Sequence, residues 1–234
     1  MATNGEELPG TYTAYYKGTK LPNPLTLVYV DGNPVNSRMY NDLINIKNAA
    51  LEAGITLLVN SGYRDAFNDI EYDGQQLAES QLTLRKQNIK PEYIDKNVAD
   101  SSLSPLSEYF SPATAAPGYS KHNSGKAIDF NTGSRTGNIA SPLNDDLYSW
   151  LIRNSWKYGF VRTVSTEEWH FEWIGITAAK SGPYTILSPS PIIKDPSKYP
   201  NNCYYEDLGL NNLRLIDGEY VSVTPGQPIP LSNV

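Results

Sequence analysis

Two histidines occur in the 234-residue chain, His122 and His170, and each sits in a short, unusual context. His122 lies in Ser120-Lys121-His122-Asn123-Ser124-Gly125-Lys126-Ala127-Ile128-Asp129, and His170 ends the run Glu167-Glu168-Trp169-His170. A catalytic zinc ion takes three nitrogen or oxygen ligands and keeps a fourth position for water. His122, Asp129 and His170 would supply that set. Gly125 allows a tight reversal between the first two ligands. On a strand starting near Lys126, Ala127 and Asp129 share one face while Ile128 and Phe130 point into a core. The plainer reading is a hydrogen-bonded structural histidine and a solvated strand aspartate. Against it stand the presence of only two histidines, an acid close by each in sequence, and the glycine within the first pair.

The elements that must position these groups are partly readable. Residues 25–30 (LTLVYV) predict a strand that enters a turn at Asp31-Gly32. Asn36 or Ser37 can cap a helix over 38–53, with Met39, Leu43, Ile46, Ala50 and Leu51 as its apolar stripe and Gly54 as its stop. Residues 55–60 (ITLLVN) predict a short buried strand ending at Ser61-Gly62-Tyr63-Arg64. Residues 75–87 predict a moderately amphipathic helix. The stretch 88–118 is polar, weakly periodic and rich in Ser, Pro and Ala, which predicts a long loop that is either functional or disordered. Further strands are expected at 126–131, 160–164 and 169–175. A helix is expected from Ser141-Pro142 through Leu143, Leu147, Trp150 and Leu151 to a stop at Gly159.

The texture changes after residue 176: eight of the 17 prolines lie between Pro183 and Pro230. Within this tail LRLI, Asp217-Gly218 and EYVSV predict a hairpin. The reading is a main domain over 1–175, with 88–118 as an inserted loop, and an extended arm over 176–234. At roughly 150 residues per domain, the length suits one domain plus an appendage. A formal net charge of −6 argues against a generic nucleic-acid or anionic-membrane binder. No apolar run approaches the roughly 18 residues of a membrane span. One cysteine, Cys203, excludes an internal disulfide framework and a Cys-rich zinc module. The first residues, MATNGEELPGTY, carry neither a basic region nor an apolar one. The expectation is therefore a protein made in the cytoplasm without a signal peptide.

Taken in order, these motifs resemble the zinc D-Ala-D-Ala carboxypeptidase family, which includes VanY-type carboxypeptidases, L,D-carboxypeptidases and phage L-alanyl-D-glutamate endopeptidases. The resemblance rests on SxHxxGxAxD at Ser120, His122, Gly125, Ala127 and Asp129, and on ExWH at Glu167, Trp169 and His170. It extends to SGYR at Ser61 to Arg64 and to the PGYS lead-in at Pro117 to Ser120. It spans roughly residues 38–175 and implies an α+β domain in which a small antiparallel sheet with flanking helices holds one zinc ion. It also implies His122, Asp129 and His170 as ligands and Glu167 as general base. Arg64 would hold the substrate carboxylate or the oxyanion. Ser120, Tyr63 and Trp169 would line the substrate site. Strand alternation alone would put Glu168, not Glu167, on the face of His170. Glu167 as base therefore requires a turn or bulge ahead of the strand. Arg64 also has a plain alternative, a surface pair with Asp65 or Asp69. Relatives carry a glutamine a few residues after SGYR; here DAFNDIEYDG intervenes before Gln75 and Gln76.

The activity expected from this resemblance is cleavage of the peptide stem or cross-bridge of bacterial peptidoglycan. A phage endolysin or tail-associated enzyme, virion-borne or released at lysis, fits the expected absence of a signal. The 176–234 arm would then attach to a tail or other virion protein, or bind the wall. Two other readings are a catalytically silent structural module of a phage particle and a D-Ala-D-Ala dipeptidase or carboxypeptidase.

Overall fold

A computed structural model gives the chain an α+β architecture whose recorded strand pairs are all antiparallel. The structure describes residues 3–96, 109–110, 114–131, 147, 150–151, 154–162, 167 and 169–176, with the strand backbones at 186–187, 204–205, 212–216 and 219–223. In chain order the elements begin with β1 (Tyr15–Tyr16), β2 (Thr19–Lys20), β3 (Leu27–Val30) and β4 (Asn33–Asn36). Helix α1 (Tyr40–Glu52) and strand β5 (Leu58–Ser61) follow, then β6 (Ile70–Tyr72), β7 (Gln75–Ala78) and helix α2 (Gln81–Gln87). Next come β8 (Ala127–Asn131), β9 (Phe160–Arg162) and β10 (His170–Trp173). The tail adds β11 (Ile186–Leu187), β12 (Tyr204–Tyr205), β13 (Asn212–Ile216) and β14 (Glu219–Val223). Two compact units result: Met1–Tyr40 with Ser61–Ala127, and Asn41–Asn60 with Ile128–Val234.

In the first unit β3 and β4 form a hairpin in which Val30 faces Asn33. Asp31 and Gly32 take positive φ, 51° and 73°, as a two-residue reversal of this hand requires. The N-terminal segment runs along the edge of β3 through bridges Glu7–Val28 and Tyr12–Leu25. Leu8, Leu27, Tyr29, Tyr63 and Ile70 form the core there, with Tyr12, Leu25, Leu77 and Ala78 packed against it.

One expected element is corrected. Residues 75–87 are not one helix: Gln75–Ala78 pairs with Ile70–Tyr72, and helix begins only at Gln81. The cause is Asp73-Gly74, whose φ values of 49° and 76° reverse the chain. Ser80 then caps α2 by accepting from the Thr83 N–H at 3.1 Å. The Asp69 carboxylate accepts from the Ser80 N–H at 2.6 Å, tying the base of the hairpin to the cap.

In the second unit the four-stranded sheet runs β5-β8-β10-β9. Phe130, Phe160 and Phe171 fill its core, with ring centroids 5.8 and 5.7 Å from Phe130. Helix α1 is anchored to β10 by Trp173 Nε1, which donates to the Asp42 carboxylate at 2.8 Å. Leu43, Ile46 and Ala50 of α1 are buried, as expected, but Leu51 is 64% exposed because it lies off that stripe. Asn36 caps the short 3-10 turn at Ser37–Met39 that leads into α1. Ala127, Ile128, Asp129 and Phe130 are all buried, so both faces of β8 are covered and Asp129 is not on a solvated face. Leu147, Trp150, Leu151 and Asn154 are helical as expected, while the expected start at Ser141-Pro142 and Leu143 lies outside the described residues.

Within 88–118, Pro91–Lys96 forms a 3-10 turn and Ile89 bridges Phe110; residues 97–108 and 111–113 lie outside the described set. In the tail β13 pairs with β14, and β11 pairs with β12, a pairing not anticipated. The expected turn residues Asp217-Gly218 lie outside the described residues, as does Cys203. Among the described residues no helix is long and apolar enough to cross a membrane.

Phe130 neighbours the candidate ligand Asp129 and is the ring between two others. Phe130→Ala is expected to cost about 3–5 kcal/mol of stability. Chemical denaturation of the two proteins checks this.

Candidate metal centre

The local geometry of His122 begins with Ser120, whose hydroxyl accepts from the His122 N–H at 3.3 Å and caps a 3-10 turn over Lys121–Ser124. Gly125 closes that turn at φ 71°, and its N–H donates to the His122 carbonyl at 3.2 Å. A side chain at Gly125 would also strike Leu25 Cδ1. The chain then enters β8, and Asp129 is the third residue of that strand. His170 opens β10, which neighbours β8 in the sheet.

The ligand atoms offered by His122, Asp129 and His170 all lie within 4.8 Å of one another, and the three residues are buried. His122 Nδ1 lies 2.7 Å from the Gly62 carbonyl. A carbonyl only accepts, so Nδ1 carries the proton and the neutral ring keeps its lone pair on Nε2. Such a backbone partner fixes both tautomer and orientation of a ligating histidine. His170 Nδ1 lies 3.1 Å from Asp129 Oδ1. Two donors at ordinary zinc distances on a tetrahedron stand roughly 3.3 Å apart, so that separation suits a shared ion. Two imidazoles and one buried carboxylate, with more acid nearby, fit a divalent borderline metal such as zinc.

The electrostatics point the same way. Burial alone would lower the His170 pKa, but the hydrogen bond and charge of Asp129, helped by Glu167 and Glu172, raise it above its ordinary 6.5. A bound cation would occupy the place that the proton holds in this acidic pocket.

Glu167 lies in a turn ahead of β10: its carbonyl accepts from the His170 N–H at 3.2 Å. Its Oε2 stands 3.5 Å from His170 Nδ1, with its side chain 33% exposed. This is the turn that strand alternation requires of Glu167. Glu168 lies outside the described residues. Trp169 is half-buried, and its carbonyl accepts from the Phe130 N–H at 2.9 Å, joining β10 to β8.

The Ser61-to-Arg64 motif leaves β5, the other neighbour of β8. Gly62 has no room for a side chain, because a Cβ would run into the Pro34 carbonyl. The Tyr63 N–H donates to that same carbonyl at 2.7 Å. The Tyr63 side chain does not line an open site. It is 1% exposed and belongs to the first unit's core. Its one hydroxyl proton lies between two acceptors, the Thr13 carbonyl at 2.7 Å and the Asp65 carboxylate at 3.0 Å. Burial, then the adjacent Asp65 charge, push its pKa well above the usual tyrosine value, so it remains a donor.

Arg64 Nη1 donates to Gln81 Oε1 at 3.0 Å and Nη2 to Ser61 Oγ at 3.4 Å. The two acids named as plain partners have other bonds. Asp65 accepts from the Phe67 and Asn68 N–H groups, and Asp69 from Ser80 and Thr83. Sequence reasoning missed two polar residues here. Gln81 supports Arg64 and donates through Nε2 to the Ala115 carbonyl at 2.8 Å. Asn123 donates to the Arg64 carbonyl at 2.7 Å and accepts from the Gly118 N–H at 3.0 Å. The signal for Gln81 was the turn dipeptide Asp73-Gly74, which separates it from Arg64 by a hairpin.

Gly62→Ala is expected to push the Gly62 carbonyl off His122 and weaken zinc binding about 10–100-fold, read by competition with a chromophoric chelator. The raised His170 pKa gives a second expectation. Its stabilising contribution to the metal-free protein is full below the ordinary 6.5 and is lost as pH rises through the higher folded value. Metal binding strengthens over the same rise, because the proton no longer competes. Melting curves with and without chelator should therefore diverge as pH rises from acid to alkaline.

The model of the VanY family, D-alanyl-D-alanine carboxypeptidase, matches residues 32–176, more than half of the chain. A D-alanyl-D-alanine carboxypeptidase of Enterococcus faecalis is 29% identical over 161 residues, covering 64% of this chain and 52% of its own. Another, from Enterococcus faecium, is 25% identical over 217 residues, covering 76% of this chain and 58% of its own. The chain thus spans little more than half the length of these curated relatives. A solved structure of VanYB in complex with D-Alanine-D-Alanine aligns with a TM-score of 0.48 at 23% identity, covering 71% of this chain and 87% of that one. The matched segment contains His122, Asp129, Glu167 and His170 as well as Arg64, and the chain belongs to the VanY D-alanyl-D-alanine carboxypeptidase family.

Proposed function

We propose that this chain is a zinc-dependent peptidase that hydrolyses the peptide stem of bacterial peptidoglycan at or near its D-Ala-D-Ala end. The observation that carries the reading is the buried His122, Asp129 and His170 group, with ligand atoms within 4.8 Å of one another, inside the family segment. A bound zinc ion would lower the pKa of a water toward ~7 and polarise the scissile carbonyl.

The chain's own groups do the rest. Glu167 takes the proton of the attacking water and returns it to the departing amine nitrogen. The amide C–N bond breaks, leaving a carboxylate and an amine. Arg64, steadied by Gln81, holds the substrate's terminal carboxylate or the oxyanion. Ser120 holds the His122 turn and meets substrate beside it, and Trp169 borders the same place. Tyr63 acts from the core by holding the SGYR backbone. The 176–234 arm, which lies beyond the family segment, is read as an attachment to a phage tail or other virion protein, with wall binding as its rival role.

Glu167→Gln tests the mechanism. It should keep zinc at full occupancy and lose about 10²–10⁴-fold in turnover. Zinc analysis and a rate assay on peptidoglycan fragments read the two quantities, and a near-normal rate would move the base to Glu168. Mass spectrometry of the same digests, with a chelated control, identifies the bond. Loss of one terminal residue means a carboxypeptidase, and separation of the stem means an endopeptidase. No product from several wall types would favour a structural module.

A further inference from the structure

The residues ahead of the family segment pack against the turn that carries His122. We propose that they form, with Phe67 and Tyr119, a subsite for the sugar-linked end of the stem peptide, an inference that rests on the peptidase reading above.

The β1–β2 hairpin turns at Lys17-Gly18, with φ of 49° and 78°. Its Gly18 N–H donates to the Gly118 carbonyl at 2.9 Å, two residues before the capping Ser120. The Tyr119 ring lies on Gly18 so closely that a Cβ there would stand 2.7 Å from the Tyr119 Cζ. On the other side Tyr15 lies against Gly118 and meets the Phe67 ring edge-on at 5.5 Å. Tyr119 on Gly18, and Tyr15 with Phe67 beside Gly118, therefore flank the lead-in to the His122 turn as an aromatic ridge of three rings. Two of its rings face solvent: Tyr119 is 43% and Phe67 37% exposed.

Charge completes the surface. Lys17 Nζ and Lys121 Nζ stand 5.2 and 5.4 Å from the centroid of one ring, Tyr16. The ring's electron-rich faces attract each ammonium group, so both stay beside Tyr16. In a chain of net charge −6, this is a local concentration of the opposite sign. Tyrosine and phenylalanine rings offer flat apolar faces that match the C–H face of a pyranose and an N-acetyl methyl. The paired ammonium groups match the carboxylates that a stem peptide carries. A disaccharide-linked stem has both features, and a free peptide has only the second.

The test compares wild type with the triple variant Lys17→Ser, Phe67→Ser, Tyr119→Ser. Unchanged melting temperature and zinc content establish that the variant is folded. Two substrates are used, a free pentapeptide stem and the same stem on its disaccharide. The wild type should show a KM about tenfold lower for the disaccharide-linked stem, and the variant should lose that advantage with kcat unchanged. Equal KM values for the two substrates in the wild type would overturn the proposal. So would a variant that loses as much on the free peptide as on the linked one. Co-sedimentation of metal-depleted proteins with insoluble peptidoglycan separates this from the peptidase reading. Wild type that pellets while the variant stays in solution supports the ridge even if neither substrate is cut. Equal pelleting of both, or of neither, overturns it.

Discussion

A single hydrogen bond, from His122 Nδ1 to the Gly62 carbonyl, joins two stretches of chain sixty residues apart, and much of the site is arranged around it. It orients the imidazole, but it works only because the partners on either side are fixed as well. Gly62 can approach because it has no side chain to meet the Pro34 carbonyl. The Arg64 N–H returns to the His122 carbonyl at 3.4 Å, and Asn123 reaches back to the Arg64 carbonyl. The two motifs are thus sewn together through backbone atoms. Side chains are left over for chemistry. His122 and Arg64 thus come together from segments that are distant in sequence but border neighbouring strands: Arg64 follows β5 and His122 precedes β8.

Around His170 the balance is electrostatic. Burial works against a charged imidazole, and three carboxylates at Asp129, Glu167 and Glu172 outweigh it. A pocket this acidic is tolerable when a cation fills it, whether a proton or a metal ion. The same acids differ in exposure. Asp129 is enclosed within β8, whereas Glu167 sits in a turn with a third of its side chain open. A buried carboxylate suits a ligand, and a partly open one suits a group that must exchange protons with water.

Much of this was legible in the sequence where chemistry and local periodicity agreed. The α1 stripe, the β8 run and the two histidine motifs stood out because their spacing and residue types are distinctive. Helix 75–87 misled because Leu77 with Leu84 and Ala78 with Leu82 fall at helical spacings, while Asp73-Gly74 carried the stronger local signal. Gln81 was hidden by that hairpin. Tyr63 was expected at the site from the family resemblance, yet its burial depends on Leu8, Leu27 and Ile70, which no local pattern reveals. The N-terminal residues before Leu25 gave no reading of secondary structure. Their strands are two residues long, and they are ordered by docking onto β3 and the His122 turn.

The hairpin of β6 and β7 has a further meaning for how such a chain can vary. Its base is clamped where Asp69 accepts from the Ser80 N–H, so the span between Arg64 and Gln81 is set outside the hairpin itself. Its strands pair with each other, and Glu71, Gln75 and Gln76 are exposed. Residues can be added or removed at its tip at small entropic cost, because the closure is already made. The hairpin is a tolerant seam, a place where length can drift between lineages while the arginine and its glutamine keep their distance.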